Sequence, residues 1–525
     1  MSSPPKASGE NAPQHHKMIS GFFTVGGWTL LSRLLGFVRD VLIAAYLGTG
    51  SAAQAFIIAF SLPNLFRRFF AEGAFNMAFV PMFSKKLESG DDPLGFARDA
   101  FSALATVLIV LTGIAMVAMP WLVLAMASGF AGDERFDLAV DYGRIAFPYI
   151  LFISLAALLS GVLNAAHRYV AAAAAPVLLN VIFISALLVA PMAGLDIGRT
   201  ITWMVPLAGM AQLALVWTAA KRAGFALIPR WPRMTSDLKR LAIIAAPAAL
   251  AGGVVQINLL IGRQVASQFD AAVAWLYNAD RLYQLPLGVV GIAVGIVLLP
   301  ELSRRLQAGD TNGGQQALSR AAEISLALTL PAAVALIVVP QPLVEVLFQR
   351  GKFGPQDTIA TAAAVAIYGL GLPAFVLQKV FQPLFFAREN TRTPFYYALC
   401  AMLVNAALAV GLAPFIGYLA AAIGTSFSAW AMVLLLWRGT RPMGIAARLD
   451  QRFQSRLPRI LLASVLMGIC LYIAQLVLRP VFALPGWRYL ALIALVVTGA
   501  GSYFGLGQMV GAFRLSDFRA SLRRG

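Results

Sequence analysis

The chain alternates long apolar segments with short polar connections from Ile19 to Phe513. A helix needs about 20 mostly apolar residues to cross a hydrocarbon core of roughly 30 Å, and most of these segments reach that length. We count fourteen such segments and predict a membrane-spanning helix for each. Their predicted bounds are 20–47, 52–84, 97–127, 136–164, 170–192, 200–220, 239–267, 272–302, 322–349, 357–387, 394–414, 417–437, 457–478 and 487–513. The pattern predicts an all-α polytopic membrane protein.

Composition supports this class. The 525 residues are 59% hydrophobic and 12% charged, with a mean hydropathy of +0.77, which excludes a soluble protein of ordinary residue usage. Several apolar segments exceed one crossing, so we expect tilt or kinks at the prolines inside them. The kink candidates are Pro63, Pro148, Pro286 and Pro373.

The polar connections differ in charge. Most basic residues lie in the two tails and in every second connection. The other connections carry only Arg135, Arg199, Arg350, Lys352, Arg479 and Arg488. Cytoplasmic loops are enriched in Lys and Arg, so this bias predicts that both termini are cytoplasmic. It also accounts for most of the net charge of +18 without a nucleic-acid partner.

The sequence contains an internal repeat. Residues Pro81–Asp91 read PMFSKKLESGD, and Pro300–Asp310 read PELSRRLQAGD. An offset of about 220 residues spans six predicted helices, so the two copies would have the same orientation in the membrane. We therefore predict two six-helix lobes followed by two further helices. The predicted regions are a disordered tail 1–17, an N-lobe 18–222, a basic cytoplasmic linker 223–238, a C-lobe 239–440, a basic cytoplasmic linker 441–456, a C-terminal helix pair 457–513 and a basic cytoplasmic tail 514–525.

Charged residues interrupt several of the apolar segments. An Arg at the centre of a spanning helix costs about 2.5–3.5 kcal/mol on insertion scales, so such residues normally face protein or water. The first two segments carry Arg33, Arg39, Asp40, Arg67, Arg68 and Glu72. In the second half, the corresponding residues are Asp280, Arg281 and Lys379. These charges are therefore the candidate functional residues.

Sequence spacing suggests ion pairs for some of these charges. The candidate pairs are Arg33 with Asp40, Arg68 with Glu72 and Arg281 with Asp280, and each pair has a purely structural interpretation as a helix-packing contact. Arg39, Arg67 and Lys379 then have no obvious acid in the same segment. An excess of cations inside the membrane favours an anionic ligand, and guanidinium groups suit phosphate oxygens. We expect the cations of both halves to face a common aqueous cavity.

Five segments together resemble the MurJ (MviN) lipid II flippases. They are SRLLGFVRD at Ser32–Asp40, LPNLFRRFFAEGAFNMAFVP at Leu62–Pro81, FPYIL at Phe147–Leu151, YNADRLYQLPLGVVGIAVGIVLLP at Tyr277–Pro300 and the segment from Lys379 to Pro394. The resemblance implies the MATE-like fold of the larger exporter superfamily, with a groove for the lipid tail at the last two helices. It also implies transport, by alternating access, of an undecaprenyl-diphosphate-linked disaccharide pentapeptide from the inner to the outer face of the bacterial cytoplasmic membrane.

The resemblance also assigns roles to residues. It implies that a cationic cavity for the diphosphate is lined by Arg33, Arg39, Asp40, Arg67, Asp280 and Arg281. Secondary candidates are Asn64, Arg68, Glu72 and Lys379, and the hinge candidates are Gly36, Pro63 and Pro286. No enzyme activity, cofactor or metal is predicted.

Two positions depart from the family pattern. Gln54 stands where many members have an acid after the first outer turn. Some members resemble a sodium site formed by an Asn and an Asp one turn apart, and here Asn405 is followed by Ala409. This disfavours sodium coupling and leaves membrane potential, another ion or the substrate gradient as the driving force.

Three alternatives remain open at this point. The first is a MATE-like exporter of drugs or of another lipid-linked oligosaccharide. The second is a membrane enzyme acting on a polyprenyl diphosphate, although the sequence offers neither an acid cluster for Mg²⁺ nor a nucleophile with a positioned base. The third is a scaffold or receptor, which would gain nothing from the cost of inserting arginines.

Overall fold

The computed structural model describes residues 12–67, 74–484 and 486–512, and these contain helices and no strand. The helices of the first half are α1 Ala12–Leu47, α2 Ser51–Arg67, α3 Ala74–Ser89, α4 Pro93–Val117, α5 Met119–Met126, α6 Glu134–Ala146, α7 Tyr149–Ala165, α8 Val170–Met192 and α9 Ile197–Arg222. Those of the second half are α10 Ser236–Ser267, α11 Ala272–Gln307, α12 Thr311–Val338, α13 Pro340–Phe348, α14 Pro355–Phe386, α15 Arg392–Ile416, α16 Leu419–Thr440, α17 Gln451–Phe482 and α18 Arg488–Val510. The predicted all-α class is confirmed for this part of the chain.

Ten helical segments among the described residues are long and apolar enough to cross a membrane. Each of the fourteen predicted segments overlaps at least one helix, but the count of fourteen crossings stays a prediction. The first helix begins at Ala12, and residues 1–11 lie outside the described part, so the disordered tail 1–17 stays a prediction. Pro13 fits the first turn because the amide that it lacks has no partner there, and the apolar segment that follows extends the helix.

Aspartates start several of the helices. The side chain of Asp92 accepts a hydrogen bond from the Gly95 amide at the start of α4. Equivalent bonds form at Asp133, Asp196, Asp310 and Asp450. Such caps satisfy amides that have no partner within the helix. The short polar connections therefore fix where the apolar helices begin.

The two repeated strings adopt the same local structure. Gly90 and Gly309 both have a φ of +71° within two residues of the ends of α3 and α11. The following acids pair with a basic residue of the preceding helix, Lys86 with Asp91 at 2.8 Å and Arg305 with Asp310 at 3.4 Å. In both copies the next helix then starts behind an aspartate cap. The similarity of the two strings therefore extends from their sequence to their local structure.

The prolines fall at helix boundaries and inside helices. Pro148 lies between α6 and α7, whereas Pro63, Pro286 and Pro373 lie inside α2, α11 and α14. The break between α4 and α5 at Ala118 has a counterpart between α12 and α13 at Val339. The repeats therefore share one interruption, but Pro148 interrupts a helix and Pro373 does not.

The chain divides into two compact units. As far as they are described, the first comprises Met1–Tyr46, Ala55–Val123 and Gly132–Gly253, and the second Leu47–Gln54, Leu124–Ala131 and Val254–Gly525. These bounds differ from the predicted lobes, because the start of α10 belongs to the first unit and the C-terminal helix pair belongs to the second. The lobes 18–222 and 239–440 stay a prediction.

Two short segments from the first half of the chain belong to the second unit. In the turn after α1, the Thr49 hydroxyl donates to Asp357 Oδ1 at 2.7 Å, and Trp275 Nε1 donates to the same oxygen at 2.8 Å. In the segment after α5, Gly129 lies so close to Ser267 that a Cβ would come within 2.3 Å of its carbonyl oxygen. Only glycine permits this approach. The Gln54 side chain donates to the Thr49 carbonyl at 3.2 Å. An ionised acidic side chain, which the family pattern predicted at this position, has no hydrogen to donate and could not make this bond.

Within the second unit, an apolar core and a charge cluster hold the C-terminal helix pair against the preceding helices. Buried residues of α17 and α18, including Ile460, Met467 and Leu495, pack in one core with Val339 and Val346. At the other end of α17, Glu323 of α12 accepts from basic residues at three positions, Arg320 at 2.8 Å, Arg452 at 3.5 Å and Arg456 at 2.6 Å. The predicted linker 441–456 therefore includes the first turns of α17, and part of its positive charge contacts protein.

Candidate functional site

The first cluster of the candidate site lies in the first unit, around Arg39. Its Nη2 and Nε lie 2.8 and 3.0 Å from Asp40 Oδ1, and its Nη1 donates to Asn180 Oδ1 at 3.1 Å. The guanidinium carbon lies 5.9 Å from the centre of the Phe60 ring and 5.7 Å from that of Phe183. Hydrogen bonds and cation–π contacts therefore fix this guanidinium from three helices.

This geometry corrects the predicted pairing. The acid partner of Arg39 is Asp40, so the interpretation of Arg39 as a cation without an acid in its segment is wrong. Arg33 and Asp40 were predicted to form an ion pair because residues seven apart lie on the same helix face. Such residues lie about 10 Å apart along the helix axis, which is too far for that ion pair. Arg33 is exposed and makes no ion pair with the residues described.

Asn180 orients the cluster, although sequence reasoning did not identify it. It is 4% exposed, and its Nδ2 donates to the Ser32 carbonyl at 2.9 Å and to the Pro176 carbonyl at 3.2 Å. Its oxygen accepts from Arg39, so one amide on α8 contacts α1 at two levels. The sequence feature that could have identified it is an amide within an otherwise apolar span. A buried amide needs hydrogen-bond partners, which indicates a contact with another helix.

The end of α2 is described only in part. The Asn64 side chain donates to the Phe60 carbonyl at 2.7 Å, so this secondary candidate uses its amide donor on its own helix. Arg67 is the last residue of α2 and is half-buried. Arg68 and Glu72 lie outside the described residues, so their predicted pairing stays a prediction.

The second cluster lies in the second unit, on α11. Arg281 Nη2 is 4.0 Å from Asp280 Oδ2, the limit for an ion pair, and the guanidinium carbon lies 4.4 Å from the centre of the Tyr277 ring. Gln284 bridges the two charges, because its amide donates to Asp280 and its oxygen lies 3.5 Å from Arg281 Nη1. The Arg281 and Asp280 side chains are 29% and 28% exposed. A guanidinium that is stacked on a ring and still accessible is suited to binding a phosphate.

Aromatic residues connect this cluster to α14. The Tyr283 ring lies 5.0 Å from Tyr368 and 5.2 Å from Phe375, measured between ring centres. Lys379 lies four residues after Phe375, hence on the same helix face, and is exposed. The secondary candidate Lys379 is therefore on the face of α14 that packs against α11.

The hinge candidates occupy different environments. Gly36 lies inside α1, where an added Cβ would be 3.7 Å from the Asn180 amide, an ordinary contact distance. Pro63 and Pro286 lie inside α2 and α11. Their roles as hinges stay predictions.

The position that corresponds to the sodium site contains neutral groups. Asn405 Nδ2 donates to Asn258 Oδ1 at 2.8 Å, and Ala409 is fully buried one turn further along α15. The Asn405 oxygen is buried without a hydrogen-bond partner among the described residues. Two amides provide oxygen ligands but no negative charge to balance a cation, so these residues do not fit the Asn–Asp pattern expected for a sodium site.

The chain is similar to known proteins over most of its length. The model of the family "Lipid II flippase MurJ" matches residues 43–497. A probable lipid II flippase MurJ of Rhizobium meliloti (strain 1021) is 46% identical over 518 residues, covering 97% of each chain. The lipid II flippase MurJ of Burkholderia cenocepacia is 35% identical, covering 96% of this chain and 99% of the relative.

Solved structures agree on the fold. A lipid II flippase MurJ in an inward closed conformation superposes with a TM-score of 0.77 at 24% identity, covering 92% of this chain and 98% of that one. An inward-facing MATE family multidrug transporter gives a TM-score of 0.67 at 16% identity, covering 79% and 95%. The predicted MATE-like fold is thus confirmed, and ten apolar helices with this homology indicate a multi-pass membrane protein. By its sequence over nearly its whole length, this chain belongs to the lipid II flippase MurJ family.

Proposed function

We propose that this protein translocates lipid II, the undecaprenyl-diphosphate-linked peptidoglycan precursor, from the inner to the outer leaflet of the bacterial cytoplasmic membrane. Membership of the MurJ family supports this function. The observation that carries the proposal is Arg281, a partly exposed guanidinium that is positioned by Tyr277 and Gln284 inside an apolar helix. Such a group binds phosphate oxygens through paired hydrogen bonds.

The physical requirement is to move a charged headgroup through a layer that does not solvate it. Burying an isolated ion in a low-dielectric medium is prohibitively costly, so protein charges must replace the lost hydration. Arg281 would supply part of this replacement, while the lipid chain stays in apolar surroundings beside the protein. We further propose alternating access as the mechanism and a cytoplasmic position for both termini, in agreement with the distribution of basic residues.

Complementation tests the function. We expect the chain to restore growth of bacteria that are depleted of their own lipid II flippase, and to move labelled lipid II to the outer face of vesicles. An exporter of drugs or of another lipid-linked oligosaccharide would fail in both assays. Repeating the vesicle assay with and without an imposed potential separates membrane potential from the substrate gradient as the driving force.

Solvent accessibility tests whether each predicted cavity residue faces water. Cys400 and Cys470 are free cysteines and would first be replaced by serine. Cysteines introduced as Arg33→Cys, Arg67→Cys and Arg281→Cys should then react with a membrane-impermeant thiol reagent and be protected by added lipid II, whereas Arg39→Cys should react little, because the Arg39 side chain is 11% exposed. Reaction at Arg281→Cys without protection would argue against binding of the headgroup there.

A further inference from the structure

Two arginines at one end of the C-terminal helix pair have no role in the site described above. Arg350 directly follows Gln349, the residue that caps the C-terminus of α13, and Arg488 is the first residue of α18. Their guanidinium carbons lie 5.9 and 5.3 Å from the centre of the same ring, Tyr489. Tyr489 thus holds two positive groups close together in the second unit.

Neither arginine has an acidic partner in the described part of the chain. Arg350 Nη2 donates to the carbonyls of Val346 at 2.6 Å and Leu347 at 2.9 Å, and its buried Nε has no hydrogen-bond partner there. Arg488 donates to the Gln349 carbonyl at 3.3 Å and to the Tyr489 hydroxyl at 3.4 Å. Even the acid of α13, Glu345, forms no ion pair with them among these residues.

A structural role explains only part of this arrangement. Arginines near the C-terminus of a helix satisfy its last carbonyls and complement its dipole, as both do for α13. Each guanidinium has five donors, however, and one arginine would suffice to complement a helix of 9 residues. The second arginine brings like charges together, which is unfavourable without an anion.

The distribution of charge along the chain gives independent support. Arg350 and Arg488 lie in the class of connections that carries few basic residues, and these two connections also contain Lys352 and Arg479. Both additional residues are exposed. Positive charge on the side of the membrane where loops normally avoid it indicates a specific function for that charge. Because Arg488 bonds to Gln349, the two connections meet.

Apolar surface continues from this cluster along the helix pair. Trp487, Leu490 and Ile493 are 59%, 55% and 58% exposed at the start of α18, and Val477 is 70% exposed near the end of α17. Trp and Tyr are enriched at the level of lipid headgroups. Two cations at that level beside an apolar helix face match a lipid with a phosphate in its headgroup.

We propose that Arg350, Arg488 and Tyr489 form a binding site for the phosphate of an anionic lipid. The two guanidinium groups would hold the phosphate oxygens, and the tyrosine ring would keep the groups in place. The lipid is either a resident phospholipid or a polyprenyl diphosphate, since both present the same chemistry. This inference does not depend on the proposed transport function.

Binding to the purified full-length chain tests the site. Native mass spectrometry in detergent would measure apparent affinities for phosphatidylglycerol, undecaprenyl diphosphate and phosphatidylcholine. We expect the double variant Arg350→Gln/Arg488→Gln to bind at least one of the two anionic lipids about 10- to 100-fold more weakly, because two charge-assisted contacts are lost. Affinity for phosphatidylcholine should not change.

Matched variants decide the outcome. Arg199→Gln removes an exposed arginine from another connection and should bind all three lipids like the wild type. Should the double variant not fold, Arg488→Gln alone is informative, because among the described residues the only hydrogen bond of its side chain outside α18 is the one of 3.3 Å to the Gln349 carbonyl. Loss of phosphatidylglycerol binding alone assigns the site to a resident phospholipid, and loss of undecaprenyl diphosphate binding alone assigns it to the substrate class. Anionic-lipid affinities equal to those of Arg199→Gln would overturn the proposal.

Discussion

Arg39 and Arg281 each lie next to an aspartate in sequence, but the two pairs differ in the distance between their charges and in their burial. Arg39 is 2.8 Å from Asp40, and their side chains are 11% and 3% exposed. Arg281 is 4.0 Å from Asp280, and both side chains are more than a quarter exposed. The difference arises from the neighbours, because Asn180, Phe60 and Phe183 enclose Arg39, whereas Gln284 bridges Asp280 and Arg281 and leaves both side chains partly exposed. The same dipeptide chemistry can therefore serve mainly structure in one place and ligand binding in another.

The largest effect on transport is expected at Arg281. Arg281→Ala should abolish complementation while leaving expression and unfolding temperature close to wild type, because this guanidinium is stacked and partly exposed. Arg281→Lys should restore transport only in part, since an ammonium cannot make the paired contacts of a guanidinium. Arg304→Ala on the same helix, at a side chain 75% exposed, is the control and should grow normally. Normal growth of Arg281→Ala would remove the phosphate-binding role.

Stability should respond most strongly at the enclosed pair. Asp40→Asn leaves the Arg39 charge buried without its carboxylate, and the unfolding free energy should fall by about 3 kcal/mol. The matched change Asp280→Asn should cost no more than about 1 kcal/mol, because an exposed pair at the distance limit contributes little. Denaturation in mixed micelles measures both. Equal losses would mean that the two pairs do not differ in the way that their burial indicates.

Asn180 provides an intermediate effect. Asn180→Ala removes the acceptor of Arg39 Nη1 and the donor to the Ser32 carbonyl, so we expect a loss of about 1–3 kcal/mol. Transport should decrease together with stability, since the guanidinium loses one of its supports. The control is Asn64→Ala, which removes a bond of 2.7 Å within a single helix and should have a smaller effect on unfolding. A greater loss for Asn64→Ala would contradict the importance given to Asn180.

The sequence predicted the helices better than the contacts between their charged side chains. Apolar length and connection charge indicated the helical architecture, because the membrane imposes a strong and local constraint. The partners of the charges depend on which helices pack together, and no spacing rule within α1 could indicate that Asn180 of α8 contacts Arg39. For the same reason, one-face spacing predicted Arg33 as the partner of Asp40, whereas the adjacent Arg39, with its long and flexible side chain, forms the pair.

The smallest effect is expected for Gly36→Ala. This variant tests whether Gly36 is a hinge or only a packing position of α1. An added methyl group would meet the Asn180 amide at 3.7 Å, so nothing in the described structure opposes it. Alanine is favoured over glycine inside a helix by about 1 kcal/mol, and Gly36→Ala should leave stability unchanged or slightly higher. If Gly36 is a hinge, the same variant should still slow lipid II translocation, because the helix resists bending. A variant that is both as stable and as active as wild type would show that α1 does not bend at this residue. The control is Gly113→Ala in α4, where a Cβ would have no neighbour within 4 Å. It measures the effect of a glycine-to-alanine change on the unfolding free energy alone.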